Sequence, residues 1–279
     1  MRPYVDLHMH TCCSDGTSTP QELLDLIRYA GIAAFSVTDH DTLEGYQAVR
    51  QILRNDDAEL IPGVELSATV EGEDMHILGY LFDPEHNGLT SALEGFQHHR
   101  SARGRLMVDK LNELGVDITY EDVKRQAGGA VIGRPHVARA MSEKNAVRYY
   151  EEAFEKFIGY DGPAYVPKKN FTPDQAIDLI HNAGGLAMLA HPAIDDKERY
   201  LDILVGMGLD GIEVYHPSHS QSHIDRYKHL AKRHRLLITG GSDFHGSNGR
   251  YDNIGAQKVP YQALENMKAK RKRGDSDAR

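Results

Sequence analysis

The chain has 279 residues, of which 40% are hydrophobic and 26% are charged, a balance that is ordinary for a globular protein with a sizeable core. Its net charge of −9 argues against a dedicated binder of duplex nucleic acid, which would present a basic face. The two cysteines, Cys12 and Cys13, are adjacent, which excludes a disulfide framework. The sequence has no secretory signal pattern and no apolar run long enough for a membrane span. We therefore expect a cytoplasmic protein with no membrane contact and no obligate protein partner.

The apolar segments of the chain predict an alternating α/β fold. Seven runs rich in β-branched residues predict strands over residues 4–10, 33–40, 59–67, 75–82, 186–191, 211–216 and 236–243. Two intervening helices have readable starts, because Thr19 and Thr172 are each followed by Pro and, three positions on, by Glu or Gln. Each of these helices ends in Ala-Gly and runs into a strand that ends at His40 or His191. Such units predict a mainly parallel sheet or barrel with functional groups at the C-terminal strand ends.

The alternation of helices and strands stops between about residues 96 and 162. This stretch has helical patterns and no strong strand pattern. We therefore predict a barrel built from residues 1–95 and 164–279, interrupted by a small helical insertion over residues 96–163 that caps the substrate.

Histidines and acids gather in six short clusters, each of which we expect to close an apolar strand: residues 6–10 with Asp15, 38–41, 63–65, 74–76, 190–192 and 241–245. Side chains two apart share one face of a strand, so His8 and His10 can bind the same ion. His76, taken by itself, is more typical of a core histidine whose partners are backbone groups. Together the clusters predict a multinuclear metal site with nitrogen and oxygen donors, because so many buried charges require cations.

In this order the clusters resemble the polymerase and histidinol phosphatase (PHP) family of metal-dependent phosphoesterases. The resemblance implies a distorted (β/α)7 barrel and a trinuclear site. It assigns His8, His10, Glu65 and Asp243 to one ion, Glu65, His76 and His191 to a second, and Asp15, His40 and His245 to a third. Three divalent ions are implied, with Mn²⁺ favoured and Zn²⁺ or Fe²⁺ compatible with the same donors.

Residues 63–67, 76–80, 132–136 and 211–215 resemble a subgroup of this family that carries a helical insertion. Members of that subgroup act as 3',5'-nucleotide bisphosphate phosphatases or as 5'-to-3' exoribonucleases on short RNA. The resemblance implies a phosphatase that removes the 3'-phosphate of nucleoside 3',5'-bisphosphates, such as adenosine 3',5'-bisphosphate. The alternatives are an exonuclease on short oligonucleotides and a non-catalytic PHP accessory module. An insertion that closes a pocket favours the phosphatase, whereas an open groove with stacking aromatic rings favours a strand.

Hydrolysis of such an ester would use hydroxide bridging the two ions that share Glu65, because a metal ion can lower the pKa of bound water to about 7. Glu65 and Asp243 are therefore predicted to be catalytic. Asp39 and Asp41 are candidates either for orienting ligand imidazoles or for turn and capping roles.

Four further residues are candidates for contacting the substrate. Arg134 offers a planar fork for phosphate at a predicted helix start, although an ion pair with an acid on the barrel rim is the alternative. His136, two residues on, could donate to the same phosphate, so that Arg134 and His136 are also catalytic candidates. His219 is a candidate for binding substrate or protonating the leaving oxygen, against simple solvation. Lys168 could recognise a second phosphate, although a solvated lysine is the favoured interpretation.

Overall fold

The computed structural model describes residues 4–168, 171–246 and 253–277. The strands are β1 (Tyr4–Asp6), β2 (Ala34–Val37), β3 (Glu59–Val70), β4 (Glu73–Tyr80), β5 (Leu186–Leu189), β6 (Gly211–Tyr215), β7 (Leu237–Gly240) and β8 (Val259–Pro260). The α-helices are α1 (Pro20–Ala30), α2 (Glu44–Ile52), α3 (Asn87–Glu113), α4 (Tyr120–Ala127), α5 (Arg134–Glu143), α6 (Tyr150–Ala153), α7 (Pro173–Asn182), α8 (Leu201–Gly206), α9 (Gln221–His234) and α10 (Tyr261–Asp277). A π-helical turn (Phe154–Ile158) extends α6, and a 3-10 segment (Ile194–Tyr200) precedes α8. All seven predicted strands are present, whereas the short β8 was not predicted.

The strands form a nearly closed barrel in the order β7-β6-β5-β4-β3-β2-β1-β8. The pairs β1–β2, β2–β3, β5–β6 and β6–β7 are parallel, and β8 is antiparallel to β1. The chain just after β1 also meets β7, because the Leu7 amide donates to the Gly240 carbonyl over 3.1 Å and Met9 bridges Phe244. The predicted α/β barrel is confirmed, and the C-terminal ends of its parallel strands meet at one mouth.

Strand β4 runs against its neighbours. It is antiparallel to both β3 and β5, and it follows β3 through a two-residue turn in which Glu71 and Gly72 have φ of 51° and 84°. Positive φ at both central residues is the type I′ hairpin that suits the twist of paired strands. Because of this reversal, His76 reaches the mouth from the first half of β4. The expectation that every cluster closes a strand is therefore wrong for residues 74–76, and it is also wrong for residues 63–65, because β3 continues past Glu65 to Val70.

Two helices begin as predicted. At the start of α1, the Thr19 hydroxyl accepts from the Glu22 amide over 3.2 Å and the Glu22 carboxylate accepts from the Thr19 amide over 2.8 Å. At the start of α7, the Thr172 amide donates to the side-chain oxygen of Gln175 over 3.0 Å. These caps fix where α1 and α7 begin, and β2 and β5 follow these two helices in the chain.

A helical unit interrupts the barrel between β4 and β5. Its own apolar cluster includes Met107, Leu111 and Val137, whereas Leu89 and Leu93 at the start of α3 pack in a cluster of the barrel. Helix α3 therefore passes residue 96 without a break, and the domain boundary at that residue remains a prediction.

Candidate metal centre

The mouth of the barrel gathers the nine side chains that the resemblance implied as ligands. Six follow parallel strands, two lie within strands and one lies on a loop. They are His8 and His10 after β1, Asp15 on the next loop, His40 after β2, Glu65 in β3, His76 in β4, His191 after β5, and Asp243 and His245 after β7. Since so many separate elements contribute, the donors meet only when the barrel is folded.

His8, His10 and Asp243 form a buried group whose donor atoms lie within 4.8 Å of one another. The Nε2 atoms of both histidines are 3.2 Å from Asp243 Oδ1. The same two atoms are 3.3 and 3.2 Å from Glu65 Oε2. Glu65 thus completes a set of two imidazoles and two carboxylates, the set implied for the first ion.

The other oxygen of Glu65 faces a second pair of histidines. His76 Nδ1 lies 2.8 Å and His191 Nε2 lies 3.1 Å from Glu65 Oε1, and the two ring nitrogens are 3.3 Å apart. One carboxylate therefore presents an oxygen to each of two groups of donors, which is the arrangement of a bridging ligand.

Asp15, His40 and His245 converge on a third position, together with His10. Asp15 Oδ1 lies 3.4 Å from His245 Nε2, and Asp15 Oδ2 lies 3.8 Å from His40 Nε2. His40 Nδ1 also lies 3.2 Å from Glu65 Oε2. His10 and His40 each belong to two of these groups of donors. The division of the side chains among three ions therefore remains a prediction.

The donor atoms of this centre fit divalent ions. Within the part of the chain that the structure describes, these buried ring nitrogens have no hydrogen-bond partner: His8 Nε2, both nitrogens of His10, His40 Nδ1 and His191 Nδ1. Tetrahedral ligands about 2.1 Å from one ion lie about 3.4 Å apart, close to the separations found here between imidazole and carboxylate. Nitrogen and oxygen donors without sulfur suit Mn²⁺, Fe²⁺ and Zn²⁺.

The protonation of the cluster also favours bound cations. Burial raises the pKa of Glu65 and Asp243, but the surrounding histidines outweigh it and hold both carboxyls well below their usual pKa. Burial lowers the pKa of His40 to about 3. Burial also opposes the charged form of His10, yet the carboxylates of Asp243 and Glu65, each 3.2 Å from its Nε2 atom, raise its pKa to about 10. The carboxylates therefore attract positive charge strongly, and a divalent ion can replace the proton of His10.

Glu213 orients two of the ligands, a role that was not predicted from the sequence. It is fully buried on β6, where Oε1 accepts from His8 Nδ1 over 3.0 Å and Oε2 accepts from the His191 amide over 2.7 Å. The first bond keeps a proton on His8 Nδ1, so that Nε2, which faces Asp243, is the nitrogen that an ion can bind. The sequence feature that could have indicated this role is a single acidic residue within an apolar strand, a pattern that Glu65 also shows.

Asp39 and Asp41 stabilise loops, and among the described residues neither makes a hydrogen bond to a ligand imidazole. The Asp39 carboxylate accepts from the Thr11 amide over 2.8 Å and from the Ser14 hydroxyl over 2.6 Å. Asp41 pairs with Arg100 of α3 over 2.6 Å. Of their two alternative roles, orientation of imidazoles is therefore not supported, and stabilisation of turns is.

Unusual backbone geometry directs two ligands into the centre. His191 and Asp243 have φ of 27° and 51°, a left-handed region that costs a non-glycine residue about 1–3 kcal/mol. A Cβ atom at Gly241 would lie 2.4 Å from the His8 amide nitrogen, so only glycine allows β7 to approach β1 this closely. The surrounding barrel has to hold these conformations in place.

A cavity of about 200 Å³ opens on the metal ligands and is walled in part by the insertion. Arg134 and Lys168 both line it, and both pair with Asp74, at 3.0 and 3.2 Å. The Arg134 guanidinium also lies 4.9 Å from the centre of the Tyr160 ring. Arg134 thus makes the ion pair with an acid on the rim that was one of its alternatives, and because it also faces the cavity, its role as a phosphate clamp stays a prediction. Lys168 is not the solvated lysine that was favoured, because only 15% of its side chain is exposed.

His136 and His219 do not line this cavity, and their substrate contacts, like the catalytic role of His136, stay predictions. His136 is buried and its Nδ1 accepts from the Gly133 amide over 3.0 Å. His219 is buried as well, with Nδ1 2.9 Å from the Val214 carbonyl, which also excludes simple solvation. Burial lowers the pKa of both rings to about 4, so each is neutral near pH 7.

Comparison with known proteins agrees with this geometry. The PHP domain family matches residues 6–182. A 5'-3' exoribonuclease named Rnm from Salmonella typhimurium is 35% identical over 247 residues, which cover 86% of this chain and 84% of that protein. A 3',5'-nucleoside bisphosphate phosphatase from Chromobacterium violaceum is 31% identical over 254 residues, which cover 88% and 89%. A crystal structure from Bifidobacterium adolescentis, described as a metal-dependent phosphoesterase, matches with a TM-score of 0.87 and 29% identity over 96% of each chain.

Proposed function

The chain belongs to the PHP domain family and is a metal-dependent phosphoester hydrolase, and we propose that it removes the 3'-phosphate of nucleoside 3',5'-bisphosphates. One observation carries this choice of substrate. The cavity at the metal centre adjoins a second cavity of about 210 Å³, so that one phosphate can reach the ions while the rest of the molecule occupies the neighbouring space.

The lining of the second cavity suits a nucleotide. Phe96 and Phe171 present aromatic rings whose centres are 4.6 Å apart, and Arg100, Arg103 and Lys168 line both cavities. Aromatic faces favour a flat base, and guanidinium groups favour phosphate. Together the two cavities fall within the range of about 300–1,000 Å³ that is usual for small-molecule sites.

Several residues of the chain have defined tasks in this proposal. Arg134 and Lys168 attract phosphate, and Asp74 between them keeps both cations facing the cavity. Glu65 and Asp243 place the carboxylate donors of the metal centre. The bound ions supply hydroxide at neutral pH and neutralise charge on the phosphate.

We further propose three Mn²⁺ ions and a cytoplasmic location. Three groups of converging donors support the number of ions, and the lack of sulfur donors is compatible with Mn²⁺. Cys12 and Cys13 are free thiols, as is usual in a reducing compartment. In the described part of the chain, no helix has both the length and the apolar character that crossing a bilayer requires.

The decisive experiment compares phosphate release by the Mn²⁺-loaded protein from adenosine 3',5'-bisphosphate, histidinol phosphate and AMP. We expect the bisphosphate to react much faster than the other two, and equal rates on all three would refute the nucleotide assignment. Arg134→Ala should raise KM for the bisphosphate, because it removes a cation from the cavity. Arg105→Ala is the matched control, since Arg105 lies against Tyr120 of α4.

The similarity to an exoribonuclease keeps a second candidate open, a 5'-3' exonuclease on short oligonucleotides. The exposed Tyr149 on the insertion is its physical basis, because stacking on aromatic rings holds single strands. Faster release of mononucleotides from a 5'-phosphorylated oligonucleotide than of phosphate from the bisphosphate would favour this function. A protein that binds the ions and hydrolyses neither substrate would point to the non-catalytic alternative.

A further inference from the structure

The insertion touches the barrel loop that carries Asp15. Arg139 on α5 donates from Nη2 to the backbone carbonyl of Asp15 over 2.7 Å. Just before α5, the Val131 amide donates to the Cys13 carbonyl over 3.2 Å. All nine predicted ligands belong to the barrel, so contacts of this kind are one route by which the insertion can influence the metal centre.

The barrel anchors the same loop at its two ends. At the start, the Asp39 carboxylate accepts from Thr11 and Ser14. At the end, the Thr17 amide donates to the His245 carbonyl over 2.9 Å. The insertion holds the carbonyls of Cys13 and Asp15, on either side of Ser14, and within the loop the Gly16 amide donates to the Thr11 carbonyl over 3.0 Å. The middle of the loop therefore depends on the insertion for part of its support.

The position of the Asp15 carboxylate depends on this support, because its contacts with the histidines of the centre leave room for an ion and do not hold the carboxylate directly. Its oxygens lie 3.4 Å from His245 and 3.8 and 3.9 Å from the nearest nitrogens of His40 and His10. By contrast, His76 lies 2.8 Å from Glu65 in the second group. A carboxylate at the tip of a loop moves with the backbone of that loop, so a shift of the Asp15 carbonyl displaces the donor as well.

We propose that Arg139 is a positioning residue of the metal centre. By holding the Asp15 carbonyl, Arg139 fixes the Asp15 carboxylate opposite His40 and His245. The same contact joins the insertion to the barrel, so it couples the docking of the insertion to the binding of an ion at the third metal position. The coupling is reciprocal, so an ion at that position holds the insertion against the barrel. The inference rests on the three-ion centre of the proposed function, whereas the identity of the substrate does not enter it.

The test measures bound metal in full-length variants. Arg139→Gln, Arg139→Lys and Arg125→Gln are equilibrated in chelator-buffered Mn²⁺, and their metal content is determined by elemental mass spectrometry. We expect Arg139→Gln to bind the third ion about 10- to 100-fold more weakly, the usual effect of losing a group that supports a ligand, and to keep the other two. Arg139→Lys should restore most of the affinity, because an ammonium can donate to the same carbonyl. Arg125→Gln should keep three ions, since that side chain is 58% exposed and pairs within the insertion.

A second measurement separates positioning from general stability. In the wild type, Mn²⁺ should slow hydrogen exchange of the amides of residues 131–139, and in Arg139→Gln this effect should shrink. Wild-type metal affinity in Arg139→Gln would overturn the proposal. Equal weakening of all three ions with a lowered Tm would also overturn it, because that pattern indicates a structural role. If the wild-type protein bound only two ions, both the three-ion centre and the role of Arg139 at its third position would be refuted. The substrate assignment would be judged separately, by the rates of phosphate release from the bisphosphate.

Discussion

Replacement of Glu213 by Gln should weaken the metal centre without unfolding the barrel. The carboxylate accepts two hydrogen bonds, from His8 Nδ1 at 3.0 Å and from the His191 amide at 2.7 Å, whereas an amide offers one oxygen and one NH₂ group. One of the two donors would then face another donor. A hydrogen bond to a charged group contributes about 1.5–3 kcal/mol. At about 1.4 kcal/mol per tenfold change, we expect Mn²⁺ affinity at the position of His8 and Asp243 to fall by about 10- to 150-fold.

The measurement is Mn²⁺ binding by competition with a chelating dye, alongside phosphate release at saturating metal. Asp210→Asn is the matched control, since Asp210 is also buried, directly precedes β6 at its opposite end, and accepts from the Ala187 amide over 2.9 Å. The control should lower the unfolding free energy and leave metal affinity unchanged. If Glu213→Gln bound Mn²⁺ as tightly as the wild type, the orienting role of Glu213 would be refuted.

Two predictions concern pH. Burial lowers the pKa of Lys168 to about 8, so KM for the bisphosphate should rise as pH increases through 8. Lys168→Arg should abolish this rise, because guanidinium stays protonated. Identical pH profiles of KM in the wild type and the variant would contradict a role for Lys168 in binding. Hydrogen bonds from Arg28 lower the pKa of Asp57 from 3.8 to about 2, so this stabilisation is present above about pH 4 and is lost as pH falls towards 2. Asp57→Asn should therefore lower Tm at pH 6 and differ little from the wild type at pH 2, and a constant difference would disprove the linkage.

The sequence predicted the parts of the fold that depend on local patterns. Apolar runs and capping boxes located the strands and the starts of α1 and α7, and parallel strand ends such as those of His40 and His191 meet where the barrel geometry requires. Local patterns did not predict the direction of β4, although a residue pair such as Glu71-Gly72 is typical of a hairpin turn. Periodicity cannot distinguish a strand that approaches the mouth from one that leaves it.

Side chains that act through partners distant in sequence were the hardest to predict. Glu213 and His8 are 205 positions apart, so only the folded barrel shows that one orients the other. His219 was placed near the site because it follows β6, but its ring is buried and its Nδ1 atom lies 2.9 Å from the Val214 carbonyl. Strand order locates a residue at the mouth, whereas the direction of its side chain depends on the packing around it.

Helix α3 runs without a break from the barrel into the insertion, so its length sets how the insertion is rotated about the helix axis relative to the barrel. The helix has 27 residues and is about 40 Å long at about 1.5 Å per residue. Each residue added to it between Leu93 and Met107 would turn everything beyond by about 100° and shift it by about 1.5 Å, which would carry Arg134 and Arg139 away from the cavity and from Asp15. Adding two full turns nearly restores the angle but moves the unit by about 10 Å. Insertions exchanged between related barrels should therefore keep the length of α3 and vary in the loops beyond it.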